Sequence, residues 1–213
     1  MSKVTKTLVI IVVAIAVAGG AGLFLATRSS TPATSEAAVV PTGGGHFLGP
    51  ENAPVTLMEF GDYQCPSCGA YFPVVNEVMK RYPTQVRLEF HHYPLVNLHP
   101  SAMAAALAAE AAADQNKFWE MHDLIFENQA TWSKLQNAEA EFVTYAGRLG
   151  LDINKFMQSM RSPDVQQRVL ADVTRAREAK LNSVPTFFIN GKQILTPNGV
   201  DEFSSIIQSN LPK

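Results

Sequence analysis

Cysteine is nearly absent from this chain. Its 213 residues contain two, set close together as Cys65-Pro66-Ser67-Cys68. That scarcity argues against a framework of structural disulfides, because exported domains held by such bridges carry several pairs at wider spacing. A bridge across two residues also closes a very small loop and constrains little of the unfolded chain. Charge is scarce too: 17 Lys and Arg against 19 Asp and Glu give a formal net charge of −2. There is no basic surplus to meet a phosphate backbone, so nucleic acid is not an expected partner. With 46% apolar and 17% charged residues the composition is that of a globular protein, not of a disordered one. The length allows one compact domain with additional segments. No internal repeat is present.

Charge is missing altogether between Lys6 and Arg28. The 21 residues between them are mostly Val, Ile, Ala, Leu and Gly. At about 1.5 Å per residue such a helix spans roughly 30 Å, the thickness of a bilayer core. Lys3 and Lys6 precede it, which places the amino terminus in the cytoplasm and the residues after Arg28 outside. Ala16-Val17-Ala18 has the form a signal peptidase cuts, and cleavage would leave a secreted protein. The apolar run continues through Leu23-Phe24-Leu25, however, which is long for a signal peptide, so an uncleaved anchor over 1–27 is the expectation. No cysteine lies near enough to carry a lipid. Residues 28–45 are Ser, Thr, Pro, Ala and Gly, the composition of a flexible tether, and the folded domain is expected to begin near His46.

For the cysteine pair itself, zinc is one reading. A single CxxC supplies only half a tetrahedral site. His91, His92, His99 and His122 are the available partners, with no second CxxC or HxxxH among them, so no metal is expected there. Redox chemistry fits the local pattern better. Val55 to Phe60 reads as a strand rich in β-branched and aromatic residues, and Gly61-Asp62-Tyr63-Gln64 breaks it. Pro66 is favoured at a first helical position, and Tyr71, Phe72, Val75, Val78, Met79 and Tyr82 recur at helical spacing. Cys65 then stands at a helix start and Cys68 one turn in. Unpaired N–H groups and the positive end of the helix dipole stabilise a thiolate at Cys65 and lower its pKa. Cys68 is placed to resolve a mixed disulfide formed there.

Farther along, Val86 to Tyr93 alternates as a strand. From His99 the chain reads as helical for about eighty residues, to about Leu181. Ser101 to Ala113 holds nine alanines. Gly150, Asp152 and Ser162-Pro163 are helix stop and start signals. Thr186 to Ile189 is a short apolar strand after Ser183-Val184-Pro185, and Asn190-Gly191 is a hairpin turn with a return strand at Gln193-Ile194-Leu195. Val200 to Leu211 closes the chain as an amphipathic helix.

A strand, a CPxC at a helix start, a distant Val-Pro-Thr and an Asn-Gly hairpin together resemble the thioredoxin superfamily, in its DsbA-like branch. The resemblance covers about residues 46–213. It implies an α/β thioredoxin fold, a central mixed sheet flanked by helices, with a helical domain inserted at about 99–181. By the same resemblance Cys65 is the nucleophile and Cys68 the resolving thiol of a redox disulfide. Pro185 is cis, and Val184, Pro185, Pro66 and Ser67 line the substrate groove. Glu59 holds the place of a buried acid that shuttles protons to the second cysteine, and Pro73 that of a helix-kinking proline. From the residues alone Glu59 has a second reading, a solvent-facing strand position, since alternation sets it opposite Met58 and Phe60. Phe118-Trp119 and Leu95 to His99 also resemble the family, and are read as packing. His99 is read as a histidine near a helix start at the rim.

The implied activity is thiol–disulfide exchange outside the cytoplasm, with disulfides donated to exported proteins that carry free thiols. A quinone-linked membrane oxidoreductase is implied as redox partner. A monomer is expected, and no cofactor beyond the thiols themselves. Ser67 departs from the strongly oxidising relatives, which carry His there, so a reductase fits the same residues. A redox-silent peptide-binding chaperone is the alternative of another class.

Overall fold

The computed structural model describes residues 38–212. The anchor expected over 1–27 lies outside them. Among the described residues, no helix is long and apolar enough to cross a membrane.

Five strands form one mixed sheet in the order β1-β3-β2-β4-β5. They are β1 (His46–Leu48), β2 (Val55–Gly61), β3 (Val86–His92), β4 (Thr186–Ile189) and β5 (Lys192–Gln193). β2 and β3 pair in parallel, with Leu57 opposite Leu88 and Phe60 opposite His91. The crossover between them is helix α1 (Pro66–Arg81), the kind of connection a parallel pair needs. The other pairings are antiparallel. Asn190 and Gly191 turn β4 into β5 with φ of 48° and 81°, the left-handed pair that suits a two-residue hairpin. β5 is shorter than the sequence predicts. It ends at Gln193, and Leu195 is 91% exposed. The chain leaves there for Pro197, whose carbonyl accepts from the Tyr71 hydroxyl at 2.9 Å.

Both faces of the sheet are covered. On one, Val55, Leu57, Leu88, Phe187 and Ile189 pack with Val75 and Val78 of α1 and with Phe203 and Ile207 of α8 (Val200–Asn210). On the other, Met58, Phe60 and Phe188 meet Ala176. Helices α2 (Ala102–Ala113), α3 (Phe118–Glu127), α4 (Gln129–Trp132), α5 (Glu139–Arg148), α6 (Ile153–Met160) and α7 (Pro163–Glu178) make up the inserted block. Asp152 and Ser162 cap α6 and α7 through their side chains, as their positions predict. The alanines of α2 let it lie close among Phe118, Met121, Ile125, Phe142 and Phe156.

Of the tether expected over 28–45, residues 38–45 are described, and they lie against the domain. Val40 is buried and bonds the Gly191 carbonyl through its N–H. Arg175 of α7 donates to the Pro41 carbonyl at 2.9 Å, and the Gly43 N–H donates to Glu89 at 2.6 Å.

Candidate active site

The loop between β2 and α1 is organised by Asp62. Its Oδ1 accepts from the Gln64 N–H at 2.8 Å. Its Oδ2 accepts from the Leu95 N–H at 2.9 Å and lies 2.7 Å from His99 Nδ1. Its carbonyl accepts from the Cys65 N–H at 3.1 Å. Cys65 is thereby held extended, with φ −68° and ψ 122°, as the residue before the helix, and Pro66 takes the first helical position. The first helical bond runs from the Gly69 N–H to the Cys65 carbonyl.

The two sulfurs sit in different surroundings. Cys65 is 8% exposed and Cys68 is fully buried. A hydrogen bond from Cys68, reinforced by the N–H groups of Cys68 and Ser67, lowers the Cys65 pKa from an ordinary 9.0 to about 6, against the opposing effects of burial and of Asp62. Burial pushes the Cys68 thiol far upward, and the hydrogen bond to Cys65 and the charge of Glu59 add to this. At neutral pH Cys65 is therefore a thiolate and Cys68 a thiol.

The remote segment of Val184 and Pro185 comes against Cys65. The Val184–Pro185 bond is cis, and Cys65 Sγ lies 3.8 Å from the Val184 carbonyl oxygen. Val184 is half-buried and Pro185 buried, while Pro66 and Ser67 are exposed. Glu59 is buried at 4%, which removes the solvent-facing alternative. Alternation does set it opposite Met58 and Phe60, but that other face is the one α1 covers. Burial raises its pKa to about 8, so it holds a proton at neutral pH. His99, read as a histidine near a helix start, stands just before α2, accepts from the Ala102 N–H through its carbonyl, and pairs with Asp62.

The sequence did not reveal the side chains of the insertion that grip the redox loop. The carboxamide nitrogen of Gln129 donates to the carbonyls of Tyr63 and Cys65, both at 2.8 Å. Gly69 makes room for it, since a Cβ there would run into the Gln129 carboxamide. Gln64 reaches the other way, accepting from the Ser101 N–H at 2.7 Å and donating to the Ser133 carbonyl at 3.1 Å. Sequence distance hid Gln129. A glutamine opening a four-residue helix carries no signal of its own.

Comparison with known proteins identifies the family and the fold. The thioredoxin family model matches residues 41–209. The fold is similar to that of oxidised BdbD from Bacillus subtilis, with a TM-score of 0.72 and 23% identity over 82% of this chain and 98% of that one. It is similar also to α-DsbA1 of Wolbachia pipientis, with a TM-score of 0.70 and 17% identity over 80% of this chain and 92% of that one. In sequence it is 39% identical over 164 residues to a protein named Na(+)/H(+) antiporter NhaA 3 from Salinispora tropica, covering 77% of this chain and 24% of that protein. The chain spans about a quarter of the length of such curated relatives.

Proposed function

The chain belongs to the thioredoxin family, and from that premise we propose that it is a protein thiol–disulfide oxidoreductase working outside the cytoplasm, where it donates disulfides to exported proteins. The observation that carries this reading is the inequality of the two sulfurs. Cys65 is slightly exposed with a pKa lowered to about 6, and Cys68 is buried with its pKa pushed far up.

In the oxidised enzyme a substrate thiolate attacks Cys65 Sγ, the Cys65–Cys68 bond breaks, and a substrate–Cys65 disulfide forms. Cys68 leaves as a thiolate and takes a proton, because its buried site disfavours the charge. Glu59, with a pKa raised to about 8, holds a proton on the sheet face that α1 covers and is the candidate donor. A second substrate thiolate then attacks the substrate sulfur, and Cys65 leaves as its stabilised thiolate. The substrate loses two electrons and the enzyme gains them. A quinone-linked membrane partner would remove them, and the anchor segment over 1–27 would hold the domain at the membrane beside it.

The Val184 backbone, close to Cys65, and the exposed Pro66 and Ser67 frame a place for an extended peptide, which would bind as an added strand. One observation favours a potential less oxidising than that of the strongest donors. The groups that lower the Cys65 pKa are hydrogen-bond donors without charge, and its charged neighbour Asp62 acts the other way. The reductase reading in the same compartment rests on this.

The experiment is to mix the oxidised full-length protein with a reduced peptide carrying two thiols and to follow peptide disulfide, alongside the potential of the pair against glutathione. Stoichiometric oxidation of the peptide is expected. A potential near about −270 mV, that of thioredoxin, would overturn the donor direction.

A further inference from the structure

On the far edge of the sheet, three side chains with metal-binding atoms converge without using either cysteine. His46 pairs with Phe90 across β1 and β3, so His92, two residues on, lies on the same face. Glu110 reaches the pair from α2. His46 Nε2 is 2.7 Å from Glu110 Oε1, and His92 Nε2 is 3.2 Å from the same oxygen. The three ligand atoms lie within 4.8 Å of one another. We propose that His46, His92 and Glu110 form a site for a zinc-class divalent ion that ties strands β1 and β3 to helix α2.

The donor chemistry selects the class of ion. Two imidazoles and one carboxylate suit zinc and the neighbouring transition metals, whereas calcium and magnesium prefer oxygen throughout. The carboxylate is held in place from behind. Arg168 donates to Glu110 Oε2 at 2.5 Å and to the Glu110 carbonyl at 3.2 Å, and it also holds Asp114 at 2.7 Å. Two carboxylates against one guanidinium leave room for added positive charge. The His46 ring lies flat on Phe118, with centroids 3.5 Å apart, which fixes its plane. His46 is the outermost ligand, its side chain 26% exposed. An ion can therefore enter past it and keep a water as fourth ligand, the arrangement of open three-ligand zinc sites. An ion replaces the two N–H protons that otherwise face Glu110 Oε1. Proton-bridged histidines satisfy the same geometry, and metal uptake separates the two cases.

The test uses the full-length protein with Cys65 and Cys68 oxidised, so that no thiol can ligate. Zinc is titrated in competition with a chromogenic chelator, and cobalt(II) is added in a parallel sample for its visible spectrum. One equivalent of zinc is expected, with cobalt bands of nitrogen and oxygen ligation and no sulfur charge-transfer band. His46→Ala is expected to weaken binding at least tenfold while the far-ultraviolet dichroism stays unchanged. Zinc should raise the melting temperature of the wild type and not that of His46→Ala. Glu110→Gln should abolish binding. Should that variant fail to fold, His46→Gln, at the solvent edge, decides in its place. No zinc uptake by the oxidised wild type, or equal uptake by the His46 variants, overturns the site.

Discussion

Two parts of the chain meet at Cys65, and they contribute different things. Residues 61–69 are contiguous and contain the groups that exchange electrons, both sulfurs, together with the helix start and the Asp62 turn. The parts that come from afar, Val184–Pro185, His99 and Gln129, contain no group that exchanges electrons. They place a carbonyl 3.8 Å from the nucleophile, anchor the Asp62 carboxylate and grip two loop carbonyls. A helix N-terminus is available to any chain that can start a helix. Holding its first turn at a fixed distance from a cis-proline strand requires long-range contacts, and here the insertion supplies most of them. The difference predicts that changes in the contiguous part abolish exchange, while changes in the remote part retune it.

The largest effect should come from the nucleophile. Cys65→Ser is expected to lower peptide oxidation by about a thousandfold or more, because no other thiol in the chain reaches the solvent side of the site. Cys68→Ala cannot form the Cys65–Cys68 disulfide and should likewise oxidise no peptide, but its Cys65 thiolate should attack a disulfide-bonded peptide, release one peptide thiol and stall as a mixed disulfide that mass spectrometry detects. Equal loss without an adduct in both variants would break the assignment of unequal roles.

Next in size is Glu59. Its folded pKa of about 8 lies above the ordinary 4.5. Between those values the unfolded chain has released a proton that the folded protein still holds, so stability falls as pH rises from about 4.5 to about 8. Glu59→Gln removes that loss. Denaturant unfolding should show the variant more stable at pH 7.5 by about 4 kcal/mol and nearly equal to wild type at pH 4.5. If Glu59 also supplies the proton to Cys68, the same variant should slow the exchange step by about tenfold or more. A stability gain with unchanged rate would confine Glu59 to a buried structural acid.

The contiguous part was readable because its signals are local. Pro66 at a helix start, the glycine and aspartate after a β-branched strand, and the Asn190-Gly191 turn each act over a few residues. The two segments joined by the cis bond were legible through their motif. Glu59 shows where local reasoning stops. Alternation assigns its face correctly, but whether that face meets water depends on α1 packing over it, and no period in the sequence carries that. The same holds for Asp62, read as a strand breaker, whose carboxylate accepts from residues 64, 95 and 99. Gln129 and the His46–His92–Glu110 group depend wholly on tertiary placement. The spacing 46, 92, 110 matches no ligand pattern.

A smaller effect is visible in the potential. The oxidised form has no thiol to titrate, so the pH dependence of the couple reports the reduced pair alone. With Cys65 lowered to about 6, its thiolate stabilises the reduced form fully above the ordinary 9.0, and that stabilisation is lost as pH falls through about 6. Between pH 6.5 and 8.5 one proton accompanies two electrons, and the potential should fall by about 30 mV per pH unit. Below pH 5.5 two protons do, and the slope should approach about 59 mV. A single slope of about 59 mV through pH 8 would mean an ordinary thiol, and the helix start would then contribute position without acidity.

The finest test addresses the remote grip. Gln129→Ala removes two hydrogen bonds to the redox loop and should cost about 1–2 kcal/mol of stability. Gly69→Ala pushes a methyl group into the space of the same carboxamide and should cost a similar amount, because the glutamine must move away. If both act through one contact, the double variant Gly69→Ala/Gln129→Ala costs less than the two single costs together, since the methyl then fills the space the carboxamide has left. Stability alone would not separate a grip on the loop from ordinary packing. The potential does: releasing the Cys65 carbonyl loosens the first turn whose N–H groups stabilise the thiolate, so Gln129→Ala should raise the Cys65 pKa and make the pair less oxidising by about 10–30 mV, a factor of ten in the exchange constant at most. A Gln129→Ala variant with lowered stability and an unmoved potential would leave the insertion a lid on the site with no hand in its chemistry.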